Sequence, residues 1–155
     1  MFASGIKGGG GGGGGFESYA KTGMPATTVN PSTWTKLPFT SVDYDNLNEV
    51  DTVTNKRWTA EATGIYKITA VATLEGQSSA AGFGTITRLY KNGASQSERG
   101  PAGHALASSD NHAPAMQTTT LSLTAGDYIE VYFWHNNASA KLSVLTDYCT
   151  FERIA

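Results

Sequence analysis

Residues 57–74 read RWTAEATGIYKITAVATL, and this stretch decides the fold. Trp58 and Thr59 close one extended run. Residues 60–64 supply a turn in which Gly64 is expected to take a positive φ, and residues 65–74 then alternate. Tyr66, Ile68, Ala70, Ala72 and Leu74 fall on one side, and Lys67, Thr69, Val71 and Thr73 on the other. A two-residue period of this kind is a strand with one core face and one wetter face. The expectation is an all-β sandwich or barrel in which the rest of the chain supplies the partners.

Downstream, residues 75–84 read as a loop and TITRLYKNGA (85–94) as a strand entering a hairpin. Asn92-Gly93 is its turn, because both positions tolerate the positive φ of a type I′ geometry. Residues 95–114 are polar and rich in Gly, Ser and Ala, and carry His104, Asp110 and His112. A connection of that length is expected to be functional or mobile. TTTLSL (118–123) then leads through a turn at 124–127 into YIEVYFWH (128–135), which is apolar on both sides. Tyr128, Tyr132 and Trp134 form one side and Ile129, Val131 and Phe133 the other. A two-sided strand needs cover on its second face, and a neighbouring subunit is the expected cover. KLSVLTDY and CTFERIA return the chain to residue 155.

Upstream, short apolar runs separated by Asp, Asn and Pro begin at Trp34. Residues 1–33 look different. Eight glycines, Gly8 to Gly15, separate Phe2 and Ile6 from Phe16, Tyr19 and Met24. Ordering eight Gly backbones costs on the order of 8–16 kcal/mol, whereas burying Phe2 and Ile6 returns about 3–6 kcal/mol. An ordered arm therefore needs contacts from neighbouring chains. The expected organisation is a docking arm over 1–33, anchored by Phe2, Ile6, Phe16 and Tyr19, and a β domain over 34–155.

Composition narrows the function classes. The 155 residues suit one domain with its own core. Charged residues make up 15%, below the usual ~25%, which favours an assembly-forming β protein over a helical enzyme. A net charge of −2 without a basic patch argues against nucleic acid. No run approaches a membrane span, and MFASGIK lacks the basic and apolar regions of an export signal. The single cysteine, Cys149, excludes an intrachain disulfide and is expected in the core.

Catalytic motifs are missing: no Ser-His-acid arrangement, HExxH or phosphate-binding loop is present. No enzyme, cofactor or metal is expected. His104, His112 and His135 could meet on a threefold axis, but loop histidines are ordinarily solvated. Asp43, Asp45, Asn46 and Asp51 are oxygen-rich without an EF-hand pattern, and turn chemistry is the expected use.

The order and spacing of Phe39, Tyr44, Trp58, Gly64 and Tyr66, then Lys91-Asn92-Gly93, Ala125-Gly126-Asp127-Tyr128 and Phe151 resembles the complement one-q globular head and tumour necrosis factor superfamily. The resemblance covers residues 34–155. It implies a jelly roll of about ten strands forming a homotrimer through aromatic and aliphatic side chains, with Tyr66, Tyr128, Tyr132 and Trp134 at the interface. Two departures stand out: oligoglycine in place of a collagen-like Gly-X-Y stalk, and no signal peptide. On these grounds the chain is more similar to versions carried by bacteriophage particles.

The expected function is a trimeric capsid decoration (cement) knob on the outer surface of a virion, made in the host cytoplasm. Its expected partner is the major capsid protein or another virion protein. The alternative is a tail-fibre or tail-tip adhesin that reads a host glycan or protein through His104, Asp110 and His112.

Overall fold

The computed structural model describes residues 18–75, 84–96, 112–143 and 147–155. The alternation in 65–74 becomes β7 (Gly64–Glu75), whose Tyr66, Ile68, Ala70, Ala72 and Leu74 are fully buried. Twelve further strands surround it: β1 (Tyr19–Gly23), β2 (Thr28–Val29), β3 (Thr35–Leu37), β4 (Ser41–Asp45), β5 (Val50–Asp51) and β6 (Arg57–Thr59) precede it. After it come β8 (Thr85–Lys91), β9 (Ala94–Ser95), β10 (His112–Leu123), β11 (Tyr128–His135), β12 (Lys141–Leu142) and β13 (Tyr148–Arg153). No described residue is helical.

The first sheet runs β10-β7-β13-β1-β4 and the second β5-β6-β11-β8-β9, with β3 also on β11 and a separate β12-β2 pair. The two main paths hold ten strands, and every pairing is antiparallel. This jelly-roll sandwich closes on an aromatic centre. Trp58 of β6 stacks on Phe151 of β13 with centroids 4.5 Å apart and planes 6° from parallel, while Tyr66 and Phe39 meet these rings edge-on. Such contacts add about 0.5–1.5 kcal/mol each beyond burial. Cys149 is buried in this core, and burial pushes its thiol pKa up.

Two turns follow their residue chemistry. Asn92 and Gly93 have φ of 52° and 77°, the left-handed pair that a type I′ hairpin requires between β8 and β9. At 124–127, Asp127 N–H donates to Thr124 O at 2.9 Å while Gly126 takes φ 92°, as the third position of a type II turn demands.

Three expectations are corrected. The β domain starts before residue 34: β1 is paired on both sides, with β13 and with β4, and β2 pairs β12. Tyr19 is therefore a strand residue and not part of an arm; Phe2, Ile6, Gly8, Gly15 and Phe16 lie outside the described residues. Gly64 does not adopt a positive φ but begins β7. Its bare Cα is needed for close approach, since a Cβ there would sit 2.5 Å from Ala155 O and against the Arg153 side chain. The connection expected to run to 114 ends by His112, where β10 starts. Pro114 lies opposite Thr73 on the edge strand, the place in a sheet that tolerates a missing N–H.

Candidate functional site

With the core enclosed between the sheets, function falls to the two outward faces. On the second sheet, β11 buries Ile129, Val131, Phe133 and His135 and turns Tyr128, Glu130, Tyr132 and Trp134 outward, half-buried. The register sets Lys36 and Arg88 on either side of Tyr132, Ile86 beside Trp134 and Tyr90 beside Glu130. Tyr90 and Tyr132 rings lie 4.0 Å apart, and Trp34 packs near Trp134 with centroids at 6.4 Å. The Arg57 guanidinium lies 3.7 Å above Tyr128, and that of Arg88 4.2 Å above Trp34.

The outer face of β11 is thus covered in part by its own subunit. The two arginine heads lie over the rings, which covers apolar area while leaving charge on the outward face. Lys36 is engaged differently: its ammonium meets Glu130 at 2.5 Å and Asn55 O at 2.7 Å. Burial, then the Glu130 charge, raises the Tyr132 phenol pKa.

The first sheet's outer face keeps several large apolar side chains exposed, and its Lys67 lies opposite Glu152 in register. Val71 sits between Met116 on β10 and Tyr148 on β13, and Thr69 between Thr118 and Thr150. The Thr69 and Thr118 hydroxyls are 3.0 Å apart. Around this strip Tyr44, Met116, Ile65 and Tyr19 keep 50%, 49%, 40% and 37% of their surface exposed. Lys21 Nζ pairs with Asp43 at 2.7 Å beneath the Tyr148 ring, and the hydrogen bond to Asp43 raises the lysine pKa.

Of the residues expected at a subunit interface, Tyr66 is enclosed within the monomer. It packs on Trp58 and donates its hydroxyl to Ala62 O at 2.7 Å, so it supports the core and offers no surface. Tyr128, Tyr132 and Trp134 do share one outward face. His112 is exposed at the start of β10, while His104 and Asp110 lie outside the described residues. His135 is fully buried: Nε2 lies 2.9 Å from Val29 O and Nδ1 accepts from Asn137 N–H at 3.0 Å.

The acidic groups serve local structure. Asp45 accepts from Leu47 and Val50 N–H, and Asp51 from Val53, Thr54 and Asn55 N–H, which holds the Asp51 carboxyl down to about 2. Asp127 is held to about 2 by Lys91, Thr124 N–H and Asn92. Among the described residues, no group of three or more His, Cys, Asp or Glu is placed to hold a metal ion.

One acid went unnoticed in the sequence. Glu49 is only 3% exposed and collects Ser18 Oγ, Trp58 Nε1 at 3.3 Å and Glu61 N–H at 3.0 Å. It ties the residue just before β1 to β6 across the two sheets.

Comparison with solved structures follows the same architecture. The globular domain of zebrafish complement 1qA matches with a TM-score of 0.60 at 13% identity, covering 89% of this chain and 98% of that one. The fold is that of the complement 1q and tumour necrosis factor jelly rolls. Murine APRIL at pH 5.0 matches with a TM-score of 0.60 at 16% identity over 89% of this chain and 99% of its own. Eiger TNF from S. frugiperda matches with a TM-score of 0.53 at 12% identity over 90% and 92%. No protein-family model and no curated protein matches the sequence.

Proposed function

We propose that this chain is a non-enzymatic structural module that self-associates as a homotrimer through the outer face of its first sheet. The observation that carries this reading is the exposure of Tyr19, Tyr44, Ile65 and Met116, each by more than a third, on strands that run across the whole of that sheet, with Thr118, Thr69 and Thr150 in one row between its edges. Covering such side chains gains about 25 cal/mol per Å² of apolar area, and the charges on this face stand against one another, Lys21 paired with Asp43 and Lys67 opposite Glu152 in register, whereas closing the second sheet's face would desolvate Arg57 and Arg88, which have no ion-pair partner among the described residues. The shared jelly-roll fold supports the same reading, and the acidic groups already committed to turns support a structural rather than catalytic role.

As a trimer the protein serves as a capsid decoration knob on the outer surface of a virion, with the major capsid protein or another virion protein as its partner. The support is sequence-borne: Phe2, Ile6 and Phe16 flank a glycine run that lets a backbone approach its neighbour closely. Three anchors on one trimer raise effective concentration, so modest burial at each gives firm attachment. Antibody labelling of the intact parent particle in electron microscopy tests this. Label over the head at many positions, lost on deletion of residues 1–15, is the expected result; an unlabelled particle overturns it.

A second reading, a tail-fibre or tail-tip adhesin, is favoured by the aromatic and arginine-bearing face of the second sheet. Label confined to tail tips would select it.

A further inference from the structure

We infer that the outer face of the second sheet binds an extended acidic protein segment, gripped at two points by Arg57 and Arg88. The inference holds for either reading of where the protein sits, because this face is separate from the one assigned to self-association.

Three features converge on it. The guanidinium carbons of Arg57 and Arg88 lie over the Tyr128 and Trp34 rings at 3.7 and 4.2 Å, and neither arginine has a carboxylate partner among the described residues. A guanidinium held over a ring by cation–π attraction still has five N–H donors, on which a carboxylate can dock in a two-pronged fashion. The nearby acids are engaged elsewhere, Glu130 by Lys36 and Asp51, opposite Arg57 in register, by the N–H groups of Val53, Thr54 and Asn55, so neither pairs with an arginine and the face keeps a net positive charge. Its complement is an acidic partner.

The second feature is rigidity. Trp34, under Arg88, packs against Trp134; Tyr128, under Arg57, is a strand residue paired with Thr59; and Tyr90 packs against Tyr132. Trp, Tyr and Arg in this combination dominate protein interfaces because large, pre-ordered side chains lose little entropy on contact.

The third is spacing. Arg57 rests on Tyr128, and Arg88 sits in register with Tyr132 and reaches Trp34 beside Trp134. Four to six strand residues separate the grips, roughly 13–20 Å. An extended peptide repeats a same-side residue every two positions, so carboxylates at i and i+4 or i+6 span that gap, with the intervening side chain over Tyr90 and Tyr132. The two grips and the rings between them follow β11, which suits a single extended segment running along that strand.

The test is fluorescence anisotropy of the full chain with labelled twelve-residue Gly/Ser/Thr peptides carrying two Glu at i, i+4 or at i, i+6, against the same peptides with adjacent Glu or with Gln. Saturable binding of a spaced peptide is expected, weakening with salt. It should fall about tenfold in Arg57→Gln or Arg88→Gln and about a hundredfold in the double variant. Lys67→Gln, a cation on the other sheet's outward face, should bind as the unaltered chain does. Circular dichroism of each variant establishes that it is folded, and sedimentation of the same samples reports self-association separately. Equal binding of spaced and adjacent peptides, no saturable binding, or binding only to a carboxylated polysaccharide such as polygalacturonate overturns the inference.

Discussion

Glu49 is the residue whose removal should cost most for its size. It is buried, and its two oxygens accept three donors: Ser18 Oγ and Trp58 Nε1, both from buried residues, and the N–H of Glu61 in the turn between β6 and β7. Glu49→Ala strands these donors and opens a void beside Trp58. Hydrogen bonds to a charged acceptor are worth about 1.5–3 kcal/mol each, and partial rescue by water brings the expected loss to about 3–5 kcal/mol. For a domain of this size each kcal/mol shifts Tm by about 2–4 °C, so a fall of about 6–20 °C is expected in thermal unfolding followed by circular dichroism. Glu49→Gln keeps the shape but directs an amide N–H₂ toward at least one N–H donor, and about 1–3 kcal/mol should go. The Ser18→Ala, Glu49→Ala double variant should lose less than the sum of the singles, since both remove the same contact. A Glu49→Ala variant within 1 kcal/mol of the unaltered chain would refute the view that this carboxylate pins the start of β1 to the second sheet.

Other consequences are open to measurement. Asp51 and Asp127 have carboxyl pKa values near 2, below the ~3.9 of an unfolded chain, because N–H donors and, for Asp127, Lys91 favour the charged form. Their contribution is present above about pH 4 and is lost as pH falls toward 2. Carboxyl chemical shifts followed by NMR should show midpoints near 2 for these two residues, and midpoints near 4 would remove the donors from the account. Gly64→Ala should destabilise by about 1–3 kcal/mol through the clash with Ala155 O and Arg153, whereas Gly64→Ala without effect in urea unfolding would show that the C-terminal residues do not pack there.

What could be read in the chain depended on how locally it was written. The strand at 64–75 was legible because five inward residues alternate without interruption behind a turn, and the 92–93 hairpin because Asn-Gly names its own geometry. The strand at 19–23 was not. Its inward residues are Ala20 and Thr22, too small and too polar to mark a buried face, yet both are fully buried because β13 and β4 flank it. The second face of 128–135 was legible as needing cover, but the cover was not: Trp34, Arg57, Arg88 and Tyr90 come from three other parts of the chain. The same holds for the first sheet's outer face, where Tyr19, Tyr44, Ile65 and Met116 come to one side only through the pairing of four separate strands. Glu49 looked like one acid among several in a turn-rich stretch, and its role depends on Ser18, 31 residues away.

Self-association through the first sheet is the central claim, and sedimentation equilibrium of the full chain at micromolar concentration tests it most directly. The expected species has three times the 16.3 kDa chain mass. Met116→Glu, which places a charge beside Val71 on that face, should shift it to monomer without unfolding it. A monomer in the unaltered chain, or a trimer indifferent to Met116→Glu, would contradict the account.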